Sequence, residues 1–186
     1  SIGILSDGMG NDRYDAYWYT QGAGAHFAIG ILADSGPGND VFNASRPNLH
    51  VNLGAGHDFS VGLLINEQGN DEYNISGSVN AGASNCGGVG VFIDNSGNDK
   101  YFSSSDYGSG MGNVSEACLE RKPESLNIGM MVDAGGNDIY KYPQSNFPMP
   151  GEGKAWGHAR NNLPREYGMG LDGDGETGVH AENSSY

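Results

Sequence analysis

Aspartate is the residue on which most of the chemistry of this chain must rest. Five times the sequence gives Gly-Asn-Asp, one residue, then an aromatic: Gly10-Asn11-Asp12-Arg13-Tyr14, Gly38-Asn39-Asp40-Val41-Phe42, Gly69-Asn70-Asp71-Glu72-Tyr73, Gly97-Asn98-Asp99-Lys100-Tyr101 and Gly136-Asn137-Asp138-Ile139-Tyr140. Shortly before four of these stands another acid, Asp7, Asp34, Asp94 or Asp133. Carboxylates held close together repel unless a cation or hydrogen bonds compensate them. Calcium takes six to eight oxygen ligands, so these nine aspartates are the candidate metal ligands and calcium the candidate cofactor. A metal-free alternative exists: Asn takes a left-handed turn conformation while Asp bonds the backbone amides around it.

A second group mixes imidazole, carboxylate and thiol. Gly22-Ala23-Gly24-Ala25-His26-Phe27 aligns without gaps to Gly54-Ala55-Gly56-His57-Asp58-Phe59 and to Gly82-Ala83-Ser84-Asn85-Cys86-Gly87. Stacked in register, His26, Asp58 and Cys86 share one ladder, and Ala25, His57 and Asn85 the next. His57, Asp58, Cys86 and His26 are therefore candidates for nucleophilic or metal chemistry. His57 is one layer from Cys86, whereas His26 is two. Cys118 and His158 fall nearby in sequence order. The plain reading is a set of small and polar residues facing solvent.

Both groups are positioned by a repeat. Each unit opens apolar-Gly-apolar-apolar-x-Asp or Asn, as in Val61-Gly62-Leu63-Leu64-Ile65-Asn66, and ends in the Gly-Asn-Asp turn. Units start near residues 2, 29, 61, 89, 128 and 167, the last having lost its Asn-Asp pair in Gly175-Glu176-Thr177. The core runs are short, bounded by Gly and Asp, and rich in β-branched or aromatic residues, which predicts strands. Gly inside each run suits a close approach of neighbouring backbone. Units of this length predict an all-β, right-handed parallel β-helix (β-solenoid) of about six coils, forming a single domain over residues 1–186. A β-propeller is the rival, but its blades are longer than most of these spacings. Two long spacings predict loop insertions over 114–125 and 142–166. Because the chain opens inside a unit, it reads as part of a longer precursor.

Gly-Asn-Asp-x-aromatic resembles the glycine- and aspartate-rich nonapeptide of the RTX (repeats-in-toxin) proteins; Ser35-Gly36-Pro37-Gly38-Asn39-Asp40-Val41-Phe42-Asn43 is the best match. That resemblance implies calcium held between stacked turns by Asp12, Asp40, Asp71, Asp99 and Asp138. The RTX motifs run in tandem, whereas these occur once per unit, so the likeness covers the turns alone.

The charge balance narrows the partners. With 23 Asp and Glu against 9 Lys and Arg, the net charge is −14, unsuited to nucleic acid or to an anionic membrane surface. No apolar run reaches the ~20 residues that span a bilayer. The expected function is a non-catalytic, secreted or cell-surface module, cation-stabilised, with a structural or adhesive role. Its partner would be the rest of a larger precursor or complex, with carbohydrate a further candidate. The alternative is a hydrolase using the His57/Cys86 region, or a polysaccharide-active enzyme stacking sugars on Tyr17, Trp18, Tyr19, Tyr107 and Trp156.

Overall fold

A computed structural model describes residues 1–15, 17–44, 51–77, 79–105, 108–112, 125–144, 150–151, 153–157 and 166–173. Among these there is no helix. In chain order the strands are β1 (Ile2–Asp7), β2 (Arg13–Asp15), β3 (Gly24–Ala25), β4 (Ile29–Pro37), β5 (Val41–Ala44), β6 (Gly56–His57), β7 (Val61–Gln68), β8 (Glu72–Ile75), β9 (Ser84–Asn85), β10 (Val89–Asp94), β11 (Lys100–Ser103), β12 (Asn127–Asp133), β13 (Ile139–Lys141), β14 (Ala155–Trp156) and β15 (Glu166–Asp172).

The strands form three sheets, ordered β1-β4-β7-β10-β12-β15-β14, β13-β11-β8-β5-β2 and β3-β6-β9. This overturns the expected right-handed parallel β-helix of about six coils. The sheets hold seven, five and three strands, so the units do not contribute equally. The largest sheet is mixed, because β14 pairs antiparallel with β15. Among the described residues the smallest sheet holds three strands, one from each of the second, third and fourth units' lead-in segments. The expected loop over 142–166 contains β14, so it is not loop throughout. Most of the other insertion, 114–125, lies outside the described residues, as does the decayed turn at 175–177.

Within the sheets the alignment of units holds residue for residue. Gly3 pairs with Gly30, Gly30 with Gly62, Gly62 with Gly90, Gly90 with Gly129 and Gly129 with Gly168, all in parallel register. Parallel pairing also excludes antiparallel four-stranded blades.

Side chains alternate across a strand, so in β7 Gly62, Leu64 and Asn66 are buried while Val61, Leu63 and Ile65 are less so. The core is thus two rows of residues. Leu32, Leu64, Phe92 and Met131 come from the large sheet, and Phe42, Tyr73 and Tyr101 from the five-stranded one. The same alternation carries Asp34, Asp94 and Asp133 inward with the glycines and leucines. These acids line the interior.

Each inner glycine lies under the segment that leads into its own strand. A Cβ on Gly30, Gly62, Gly90 or Gly129 would overlap the carbonyl of Ala23, Ala55, Ala83 or Met111 respectively, whereas a Cβ on Gly3 meets nothing within 4 Å. Gly62→Ala is therefore expected to destabilise by about 1–3 kcal/mol or more, and Gly3→Ala by no more than about 0.5 kcal/mol. Urea unfolding of the two variants checks this; equal losses would mean that the glycines are not there to admit the crossing backbone.

Candidate functional site

The Gly-Asn-Asp turns are tied to one another by two side-chain ladders of opposite sense. The amides of Asn39, Asn70, Asn98 and Asn137 donate to Oδ1 of the preceding unit's Asn11, Asn39, Asn70 and Asn98, at 2.8 to 2.9 Å. The amides of Asp12, Asp40, Asp71 and Asp99 donate the other way, to Oδ1 of Asp40, Asp71, Asp99 and Asp138, at 2.6 to 2.7 Å. Each inner turn is gripped from both sides. The asparagines are absent from the positive-φ residues, so the left-handed conformation expected of them is not used. Their side chains serve the next unit instead.

Inside these turns runs a column of rings. Tyr14, Phe42, Tyr73, Tyr101 and Tyr140 stack with centroids 4.7 to 5.0 Å apart and planes within 13° of parallel. The hydroxyls reach across to the next unit's inner acid. Tyr14 donates to Asp34 at 2.7 Å, Tyr73 to Asp94 at 2.6 Å and Tyr101 to Asp133 at 2.8 Å. The second unit carries Phe42, which has no hydroxyl, and the third unit answers with Asn66 where its neighbours have Asp. Asn66 Nδ2 donates to Asp71 Oδ2 at 2.7 Å and to the Tyr73 hydroxyl at 2.8 Å.

Two triads of carboxylates result: Asp71, Asp94 and Asp99, and Asp99, Asp133 and Asp138, each with its ligating oxygens within 4.8 Å of one another. Asp99 belongs to both. It is fully buried, and its Oδ2 accepts no hydrogen bond. Burial, with neighbouring carboxylates adding to it, raises Asp71 and Asp99 to about 7 and Asp138 to about 8. Asp94 and Asp133 are raised for the same first reason. Among the described residues no Lys or Arg forms an ion pair with Asp71, Asp94, Asp99 or Asp133; the Arg13–Asp15 pair lies elsewhere, on the surface. Of the nine predicted metal ligands the structure gathers these five. Asp7, Asp12, Asp34 and Asp40 stay outside the triads; Asp34 is held by Tyr14, and the Asp40 carboxylate by the Asp12 amide.

The second candidate group also comes together in part. Ala25 pairs with His57 and His57 with Asn85. His26 Nδ1 lies 3.1 Å and His57 Nε2 3.4 Å from Asp58 Oδ2. Cys86 does not serve as a thiol there, because it is disulfide-bonded. Cys118, His158 and Tyr107 lie outside the described residues. Trp156, a candidate sugar platform, is buried against the core and donates Nε1–H to the Ser109 carbonyl at 3.2 Å. The sequence alignment missed a fourth copy of the lead-in segment, Gly110-Met111-Gly112. Its Gly110 amide donates to Ala81 as Gly82 does to Leu53, and Met111 O accepts from Ser84. The insertion that follows it hides the match.

No protein-family model, no curated protein and no solved structure matches the chain.

The Phe42–Asn66 exchange has a measurable consequence. Asn66→Asp removes the donor to Asp71 Oδ2 and adds an acid that receives no hydroxyl from the preceding unit, while the Tyr73 proton is already given to Asp94, so at neutral pH it should destabilise by about 1–3 kcal/mol. Adding Phe42→Tyr supplies the hydroxyl and should return about 1 kcal/mol of that loss. Denaturant unfolding of the two single variants and the double closes the cycle; additive losses would show that ring and acid are not coupled.

Proposed function

We propose that the chain is a non-catalytic, extracellular all-β module whose aspartate column is closed by calcium. The observation that carries this is Asp99, buried, shared by both carboxylate triads, and with one oxygen lacking any donor. A buried acceptor left in that state costs about 1–3 kcal/mol, and a divalent cation removes the cost together with the mutual repulsion of the triad. The donor set is all oxygen, the chemistry that calcium selects. Asp71, Asp94 and Asp99 would hold one ion, and Asp99, Asp133 and Asp138 another. Tyr73 and Tyr101 orient the Asp94 carboxylate, and Tyr101 and Tyr140 that of Asp133. The resemblance of the turns to RTX repeats points the same way.

A location outside the cytosol is supported by the disulfide at Cys86, since such bonds persist in oxidising compartments. An enzyme relying on the Cys86 thiol is disfavoured by the same disulfide.

One observation favours a metal-free reading: each turn aspartate from Asp40 to Asp138 already accepts a backbone amide. In that case the raised carboxyls keep their protons. Their acid form is favoured by the fold, so the stability they contribute is complete below the unfolded value near 4. It is lost as pH rises through about 7 to 8, where the buried groups must ionise. The metal-free protein should therefore weaken steadily between about pH 4 and 8. Calcium at a hundredfold excess over its dissociation constant should restore about 2.7 kcal/mol for each ion bound at pH 8. Asp99→Asn should remove most of that gain, and Asp12→Asn, outside the triads, little of it. Urea midpoints measured across pH with and without calcium are decisive. A fall with pH that calcium does not reverse would leave the turns as protonated, metal-free corners.

A further inference from the structure

We propose that His26, His57 and Asp58 form a separate binding site for a zinc-class divalent ion. It lies on the three-stranded sheet and the turns that follow β3 and β6, away from the aspartate column, and it does not depend on calcium being bound there.

His57 is held by its neighbour in the sheet. Its Nδ1 contacts Asn85 Oδ1, the residue directly paired with it in β9. An amide oxygen only accepts, so this contact holds a proton on Nδ1 and leaves Nε2 as the atom turned to Asp58. Nε2 lies 3.4 Å from Asp58 Oδ2. Either a proton on Nε2 or a cation between the two atoms makes that approach favourable, and a third residue adds a ligand for the cation. His26 Nδ1 lies 3.1 Å from the same carboxylate oxygen. All three donor atoms lie within 4.8 Å of one another.

The dimensions suit zinc. Zn–N and Zn–O bonds of about 2.0–2.2 Å at tetrahedral angles put neighbouring ligand atoms about 3.3 Å apart. The two separations to Asp58 fall on either side of that value. Two imidazoles and one carboxylate are a borderline donor set, which prefers zinc and the later transition ions to calcium or magnesium. Hydrogen bonding of the remote imidazole nitrogen to a protein acceptor is the usual way a metal-binding histidine is held, and Asn85 supplies it. Three protein ligands leave one tetrahedral position open. His57 and Asp58 are half-buried. His26 is more exposed and forms part of the wall of a pocket with Tyr19, Thr20 and Ala25, so the open position is reachable by water or a small ligand. Trp18 stacks on Tyr19, and Tyr19 lies against both imidazoles.

His26 and Asp58 both have left-handed backbone, at φ 54° and 55°. Asparagine adopts that conformation readily, which allows ligands to be removed without straining the turns. The test titrates zinc alone, and cobalt(II) as a spectroscopic substitute, into the chelator-treated chain with excess calcium present to occupy hard-oxygen sites. We expect one zinc per chain at micromolar affinity or tighter, and visible cobalt bands of low-symmetry four- or five-coordination. His26→Asn and Asp58→Asn should each weaken zinc at least tenfold, the pair His26→Asn with His57→Gln should abolish it, and Asn85→Ala should weaken it about tenfold. Thermal melting in calcium verifies that each variant is folded. No zinc at micromolar concentration would overturn the proposal. So would folded His26→Asn and Asp58→Asn variants that bind as tightly as the parent; the three residues would then be an ion-paired cluster only.

Discussion

In-register parallel pairing places each residue of one unit directly over its counterpart in the next, at the ~4.8 Å spacing of strands, and everything else in the molecule answers to that. The constraint is neutral for leucine and favourable for aromatic rings, which stack in a continuous column. It is also favourable for asparagine, whose side chain reaches the neighbouring amide without disturbing the pairing. For aspartate it is hostile, since like charges are forced together out of water. The structure meets that hostility in three ways. It supplies a backbone amide to one oxygen, a tyrosine hydroxyl to another, and at one layer it drops the charge by using Asn66.

Much of this was legible in the sequence. The glycine positions of the core runs gave the strand register, and the lead-in alignment gave the pairing of His57 with Asn85. What stayed hidden has physical causes. The number of strands per sheet depends on how the insertions are placed, and no local pattern reports that. The fate of Asp94 and Asp133 could have been read from period-two alternation, because they share a face with glycine and a large apolar residue. The nearby turn motif instead groups them with the turn aspartates as candidate ligands. The tyrosine-to-acid bonds join residues about a unit apart, so neither belongs to the other's motif. The asparagine ladder was mistaken for local turn chemistry for the same reason. Cys86 looked like a nucleophile because a sequence shows a thiol but not its oxidation state.

Left-handed backbone recurs at equivalent places in three units: His26 and Phe27, Asp58 and Phe59, Cys86 and Gly87. The strain belongs to the architecture, which uses this tight corner where the chain turns into the core strands β4, β7 and β10. Residue types that tolerate it, His and Asp among them, are therefore concentrated there by backbone need. The corner places polar side chains of adjacent units in contact, and their chemistry follows from that placement.

The bond from each tyrosine to the following unit's acid also governs how such a chain can grow. A unit carrying both Asp and Tyr fits against any neighbour of the same kind, so it can be duplicated or deleted alone, with its hydroxyl finding an acid on one side and its acid a hydroxyl on the other. The second and third units are different. Phe42 stands one unit before Asn66, so deleting the third unit alone would bring Phe42, which has no hydroxyl, opposite the Asp94 carboxylate. A rearrangement that keeps those two units together therefore disturbs the interior least.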